Sequence, residues 1–547
     1  MQRNPEALKK TRFDLAVIGG GINGAAVARE AALRGLKVAL VDAGDFAAGT
    51  SSRSSKLIHG GLRYLEQFDF RLVRESRRER RILRDVAPHL AQPLPFLLPI
   101  YEGDPYFPLK IRAGLTLYDL LGNLGHDDRH RMLAPQDAVK LVPPLRTEGL
   151  RAGAVYYDSA TDDARLTLEM ILDAVENGAA VANYVEIRAL APAGKSEGDI
   201  ATAEVRDRLS GATFEIESRF WVNATGPWVD RVRALVPGFD GSRTVRLTKG
   251  THLILPQVSA SHALFAAIPD DGRIFLMIPW LGYSLLGTTD TDFAGDPASV
   301  RPEPSDTEYL LNALNRVLKH PIRADQVAGS FAGLRALVVE PGERPSANTR
   351  EHRFHRDPWA GNLISICGGK LTTARALGEK LLDEIAAEVG PGSGPAVHRH
   401  PSRDAALPGG HTGPFEAFVQ SSAEHAVSQY GLPGTVAERV VRTYGSRWPQ
   451  VLGLIHEYQA FAEPLPGSPT LLTAEVEFAI RHEMAVTVED FMLRRSGLNW
   501  AACTPNCAPA APTVAHLFAR RFGWNEERRR SELAEFKRLT DVAGVGT

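Results

Sequence analysis

Apolar positions near the N-terminus fall in the order strand, turn, helix, strand. Phe13-Asp-Leu-Ala-Val-Ile18 is a short apolar run that ends on glycines, which predicts a buried strand. Ala25 to Leu33 is helix-prone and stops at Arg34-Gly35, and Lys37-Val-Ala-Leu-Val41 predicts a second strand. Two later runs repeat the strand-to-glycine pattern. They are Phe220-Trp-Val-Asn-Ala-Thr-Gly226 and Leu363-Ile-Ser-Ile-Cys-Gly-Gly369, the latter opening a helix to about Ala387. Ala203–Leu209, Thr213–Glu217 and Thr251–Leu255 alternate or are rich in strand formers. Ile274–Pro279 and Tyr283–Gly287 predict an antiparallel pair around Trp280-Leu-Gly. Glycine and proline mark linkers at 389–395 and 407–410. Beyond them the pattern is helical, as at Val476, Ala479, Ile480 and Met484. We find no internal repeat.

Length and composition narrow the class. A chain of 547 residues implies roughly two or three domains. Hydrophobic residues at 44% and charged residues at 23% fit a globular, water-facing protein. A net charge of −2 argues against nucleic acid as a partner. The three cysteines, Cys367, Cys503 and Cys507, are too few for a disulfide scaffold and fit a reducing compartment. Cys503 and Cys507 have no second Cys or His pair nearby, so no metal is expected. Neither a signal peptide nor a membrane-spanning stretch is visible, and prolines interrupt the apolar run at 86–100. The expected location is the cytoplasm, with contact to a membrane surface left open.

The glycines give the first strand its chemistry. Gly19, Gly21 and Gly24 form G-x-G-x-x-G, directly ahead of the helix-prone run. The pattern suits a tight turn, close approach of a pyrophosphate, and close helix–strand packing. Asp42 follows Gly19 by 23 residues, where a carboxylate holds ribose hydroxyls. Strand, turn, helix, strand and acid in that order point to a dinucleotide site. The hydroxyl- and glycine-rich loop Thr50-Ser-Ser-Arg-Ser-Ser-Lys-Leu-Ile-His-Gly-Gly-Leu-Arg-Tyr64 then suits the far side of the pyrophosphate and a flavin ring. The turns at Ala224, Thr225, Gly226 and Trp228, and at Gly368, Gly369, Lys370, Leu371 and Thr372, add stations that an NAD enzyme does not need. A helix N-terminus at the last turn supplies positive potential for a reduced flavin. Cys367 reads as a core cysteine, so FAD is expected to be noncovalent.

These words together resemble the FAD-dependent, quinone-linked glycerol-3-phosphate dehydrogenases. The matching stretches are Ile18–Gly24, Ser54–Leu65, Asp162–Leu166, Asn223–Trp228, Leu286–Asp290 and Gly368–Thr372, in family order. Asp42 departs conservatively from the Glu of many relatives. The resemblance implies an α/β fold: a discontinuous Rossmann-like FAD-binding domain of the glutathione-reductase and D-amino-acid-oxidase kind, an antiparallel substrate sheet, and a C-terminal all-α domain. The expected oxidoreductase region is 1–400, with FAD segments at about 10–100, 150–245 and 345–395 and substrate segments at about 101–149 and 246–344; the helical domain is 401–547. Those helices are expected to form a separate domain; the alternative is that they merely buttress the substrate domain.

Oxidising a secondary alcohol needs a base, an aligned C–H and a clamped phosphate. His59 suits the base, with Ser55 orienting it or the substrate. Arg335, in apolar surroundings, suits a phosphate. Lys249 and Lys370 are candidate cations for substrate or anionic flavin, Arg63 and His252 are weaker candidates, and Thr288 and Asp290 are expected to shape the substrate sheet. The expected cofactor contacts are Gly19, Gly21, Ile22, Asn23, Gly24, Asp42, Thr50, Ser51, Ser52, Ser55, Lys56, Gly60, Gly61, Ala224, Thr225, Gly226, Trp228, Gly368, Gly369, Lys370, Leu371 and Thr372.

Arg71–Arg84 carries seven arginines against two glutamates. It reads either as a solvated helix face or as an attraction for anionic lipid. Tyr106–Tyr118 mixes aromatics with basic residues and reads as interfacial or as core. The implied partners are glycerol 3-phosphate and a membrane quinone; a homodimer is compatible with the sequence. The alternatives are an oxygen-using glycerophosphate oxidase, an amine or amino-acid oxidase of the same fold, and a non-catalytic flavoprotein.

Overall fold

A computed structural model of the chain describes residues 1–65, 68–122, 128–192, 198–268, 272–339, 352–389, 400–505 and 507–540, apart from the side chains of Arg63, Val389 and Cys503. Most of the 389–395 linker therefore lies outside the described residues.

The N-terminal pattern folds as its periodicity requires. Arg12–Ile18 is the strand, Ile22–Leu33 the helix and Val38–Val41 the second strand. Arg12–Ile18 lies at the centre of a sheet between Val38–Val41 and Thr213–Asn223, both parallel to it. Ala180–Ala182 and Ala360–Cys367 extend the parallel set on either side. The predicted strands at 203 and 213 join this sheet as an antiparallel meander, so they belong with the nucleotide unit and not with the substrate sheet. The helices Ile22–Leu33, Asp163–Glu176 and Ala374–Val389 pack together on the sheet around Val17, Leu40, Leu166, Val222 and Leu377.

A second, mostly antiparallel sheet carries Val245–Pro256, Tyr283–Gly287, Arg273–Trp280 and Gly329–Val338. Gln92–Tyr101 and Leu150–Ala160 also run in it, so the limits drawn at 100 and 150 from sequence fall at strand ends rather than between the sheets. The missed signal was the proline-rich strand Gln92–Tyr101, in which alternate prolines hide an otherwise apolar run.

The C-terminal region is helical with one small hairpin, Pro464–Leu465 against Ser468–Leu472, that sequence did not predict. It shares a core with the second sheet: Leu94, Phe96, Tyr156 and Ile278 pack in one cluster with Val476, Phe491, Met492, Val514 and Phe518. The helices therefore buttress the sheet. A second tie reaches the nucleotide unit. Arg494 and Arg495 both bind the buried carboxylate of Asp45, at 2.6 and 2.8 Å.

Burial pushes the Asp45 carboxyl up, but Arg495 and Arg494 overcome it and hold it at about 2. A folded value below the unfolded one means stability that is full above about pH 4 and lost as pH falls toward 2. Arg495→Ala is expected to cost about 3 kcal/mol at neutral pH, because it leaves a buried charge poorly compensated. Unfolding curves should also show a shallower loss of stability between pH 4 and 2 in the variant.

Candidate active site

Three turns far apart in sequence meet at the N-terminus of the Ile22–Leu33 helix. Gly19 sits at φ +106, and a Cβ there would lie 2.8 Å from the Ala224 carbonyl oxygen. A Cβ on Gly24 would lie 1.9 Å from the Gly19 carbonyl oxygen, so only glycine permits this packing. Asn23 Nδ2 donates to the Gly368 carbonyl at 3.1 Å. The loop after Asp42 closes over the same point: the Ile22 N–H donates to Ser51 Oγ at 2.9 Å and Thr50 Oγ1 donates to the Leu334 carbonyl at 2.6 Å. Gly49 abuts the Trp228 ring, and Thr225 Oγ1 donates to Asn223 Oδ1 at 2.6 Å. Asp42 accepts the N–H groups of Gly20 and Gly44 at 2.7 and 2.8 Å. Burial outweighs these donors and pushes its carboxyl up to about 6.

The loop's far end reaches the third turn. The His59 N–H donates to Thr372 Oγ1 at 3.2 Å, and the His59 and Tyr64 rings lie 6.4 Å apart. Gly61, at φ +78, lets the loop fold over Tyr64, and Gly60 packs against Tyr118 and donates its N–H to Asp158 at 2.8 Å. Lys370 Nζ sits 4.1 Å from the Tyr64 ring centre. That Nζ is buried and meets no hydrogen-bond acceptor among the described residues. A cavity of about 510 Å³ opens beside Gly369 and Lys370, walled by Arg71, Glu75, His352, Phe354 and Lys380. Burial lowers His352 to about 4, so it stands neutral there. Neither Tyr64 nor His352 was singled out from sequence. Tyr64 sits inside the quoted Ser54–Leu65 word, whereas nothing in the chain marks His352.

Alternation along Val245–Pro256 divides the remaining candidates. Thr248, Gly250 and His252 share one face. A Cβ on Gly250 would lie 2.7 Å from the Arg335 guanidinium, so this glycine makes room for it. Arg335 pairs with Asp290 at 3.2 Å and donates to Thr288 Oγ1 at 3.2 Å. His252 Nε2 and Ser55 Oγ are 2.8 Å apart. Burial, with the charges of Arg335 and Lys56, lowers His252 to about 3, so its ring is neutral. The structure pairs it with Ser55, a partnership that sequence did not indicate.

Two predicted site residues turn away. Lys249 lies on the opposite face of its strand, bound to Glu303 at 2.7 Å and Asp306 at 2.8 Å on the helix that covers the sheet. Its motif setting misled because a lysine beside glycine can face either way in a strand. Lys56 points inward, to Asp163 at 2.5 Å and the Ser52 carbonyl at 2.7 Å. Its side chain fixes the loop and does not face the cofactor turns. Cys367 is buried, and burial raises its thiol to about 11, so it is a poor nucleophile. No cluster able to hold a metal occurs among the described residues.

Residues 14–384 match the model of the FAD dependent oxidoreductase family, and residues 401–529 match the C-terminal domain of alpha-glycerophosphate oxidase. The chain is a member of the FAD-dependent oxidoreductase family. It is 36% identical to a glycerol-3-phosphate dehydrogenase of Synechocystis, over 98% of this chain and 97% of that one. It is 34% identical to an aerobic glycerol-3-phosphate dehydrogenase of Staphylococcus epidermidis, over 90% of this chain and 87% of that one. The crystal structure of the Bacillus halodurans glycerol-3-phosphate dehydrogenase with FAD superposes at a TM-score of 0.78, with 30% identity, covering 99% of this chain and 97% of that one. The family's cofactor fits the residues present. A carboxylate faces the glycine turn, glycines bring that turn's backbone close to the helix end, and at the third turn a buried cation meets no acceptor among the described residues.

Lys249→Ala is expected to lower stability by about 3 kcal/mol, since Asp306 is buried and loses its partner. FAD binding, read by flavin fluorescence, should be unchanged; a large loss of FAD would return Lys249 to the site.

Proposed function

We propose that the chain oxidises sn-glycerol 3-phosphate to dihydroxyacetone phosphate with FAD as oxidant, in glycerol catabolism, and passes the electrons to a membrane quinone. The observation that carries this reading is Lys370 Nζ, buried beside the flavin turn with no acceptor among the described residues. A buried ammonium needs an anion, and a phosphorylated substrate or a reduced flavin is one. The relatives' names supply the substrate.

The cofactor would be held by Asp42 on the ribose, the helix N-terminus beyond Ile22 on the pyrophosphate, and Gly368–Thr372 with Lys370 at the ring. Bound FAD supplies the hydride acceptor. The chain's own residues do the rest. A His59 ring nitrogen takes the proton of the C2 hydroxyl. His252 is too weakly basic for that task, so it orients Ser55. Arg335, oriented by Asp290 and Thr288, presents a fork of donors to the phosphate. Tyr64 packs against the Lys370 ammonium and fixes its position at that end of the site.

Membrane contact has its own support. The helix Pro108–Gly122 buries only Leu115 and Tyr118 among its residues, while Leu109 is 70% and Leu120 75% exposed. Phe107, which immediately precedes it, is exposed, as is Phe68 just before the neighbouring helix. On the neighbouring helix Phe70–Val86, Arg77 and Arg80 are buried, bound to the Tyr118 carbonyl and to Asp158, so that side is neither a solvated face nor free to meet lipid. Arg71, Arg74, Arg78 and Arg81 are exposed, at the spacing of one helix face. An apolar ridge beside a cationic stripe fits the surface of an anionic bilayer. No helix among the described residues is long and apolar enough to cross one.

Anaerobic mixing with sn-glycerol 3-phosphate should bleach the flavin band, and glycerol should not. Readmitting air, then a soluble quinone, separates oxidase from dehydrogenase. His59→Ala should slow bleaching roughly 10²- to 10⁴-fold with FAD retained; unchanged bleaching removes His59 as base. Leu109→Asp with Leu120→Asp should weaken binding to anionic vesicles by about tenfold or more. Sedimentation equal to that of the parent chain would end the membrane reading.

A further inference from the structure

The C-terminal domain touches the cofactor loop through a contact that the proposed chemistry does not use. Asn499 and Trp500 begin the helical turn Asn499–Cys503 and are 2% and 5% exposed. Trp500 Nε1 donates to the Ser52 carbonyl at 3.0 Å. Asn499 Oδ1 accepts from Lys56 Nζ at 3.3 Å, and the same ammonium donates to the Ser52 carbonyl. Asn499 Nδ2 donates to Asp162 Oδ2 at 3.0 Å, and the other oxygen of Asp162 caps the helix Asp163–Glu176. Asn499 and Lys56 both stand at positive φ, +51 and +57, a conformation that non-glycine residues adopt seldom and only where the surroundings impose it.

A second route is stacked. The Trp500 ring lies 5.3 Å from Phe331 at 17°, and Phe331 lies 5.0 Å from His252 at 16°. His252 in turn meets Ser55 Oγ. One turn of the C-terminal domain thus reaches both Ser52 and Ser55. Ser51 between them accepts the Ile22 N–H at the start of the nucleotide helix. Buttressing the sheet requires apolar burial, which the shared core already provides. It does not require a buried amide and an indole N–H aimed at a loop carbonyl. Buried polar contacts of this kind fix geometry more than they add stability.

We propose that Asn499 and Trp500 are positioning residues of the flavin site: the C-terminal helical domain holds the loop Thr50–Gly61 in its FAD-binding shape through them. This rests on FAD as cofactor and not on the identity of the alcohol, so its test reads FAD alone. In the full-length holoenzyme, Trp500→Phe keeps the ring stack and removes the N–H. Asn499→Gly keeps the positive φ and removes the amide. Each should raise the FAD dissociation constant roughly threefold to thirtyfold, as expected for a buried carbonyl or ammonium losing a partner. Each should also alter the visible circular dichroism of the bound flavin. Trp448→Phe, in the separate C-terminal cluster with Tyr444 and Phe478, should do neither. Wild-type FAD affinity and spectrum in both Trp500→Phe and Asn499→Gly would overturn the proposal.

Should either variant fail to fold, the parent chain still decides. By linkage, what holds the loop for FAD must itself be held by FAD. Releasing FAD should speed hydrogen exchange at 499–504, and exchange there that ignores FAD would equally overturn the proposal.

Discussion

The approach of Gly24 to Gly19 sets the rest of the molecule in place. A helix whose first turn lies against the Gly19 carbonyl, one residue past the strand's end, leaves no room for any side chain at that point. Ala224 and Gly368 can then close on the same helix end from strands more than 200 and 340 residues away in sequence. The parallel order of Val38–Val41, Arg12–Ile18, Thr213–Asn223 and Ala360–Cys367 follows from this, because each strand must deliver its C-terminal turn to one edge.

Much of that frame is legible in the sequence, because glycine at a fixed spacing reports a backbone constraint directly. The two strands of the N-terminal unit lie within a residue of their predicted limits, and the helix between them starts three residues before the predicted Ala25. The later turns at Gly226 and Gly368 are legible for the same reason. Facing direction is not. Lys249 and His252 are three residues apart on one strand and point to opposite faces. Only the register with Gly329–Val338 and the covering helix shows which one joins Arg335. Lys56 misled in a similar way. It sits inside a cofactor loop, yet its buried charge is matched by Asp163 from a distant helix. Long-range partners such as Asp163, Trp500 and His352 leave no local pattern, so sequence periodicity cannot announce them.

The site is correspondingly built from two kinds of support. Hydrogen bonds between turns fix the backbone around Asp42, Ser51 and Thr372. Side-chain pairs then fix the groups around the crevice, as Asp290 does for Arg335 and His252 for Ser55. The buried histidine and the buried thiol are both held in their neutral forms, which leaves the charges in the crevice to groups with a directional task.

The core that the second sheet shares with the C-terminal helices has a consequence for synthesis. Leu94, Phe96, Tyr156 and Ile278 are made early, but the residues that cover them, from Val476 to Phe518, leave the ribosome near the end. Until then one apolar face of the sheet is bare, and the nascent chain carries a surface prone to self-association. The nucleotide unit gains its last parallel strand, Ala360–Cys367, more than a hundred residues before that cover arrives. Translation therefore completes the two halves of this flavoprotein at different times, and chaperone demand falls on the interval between them.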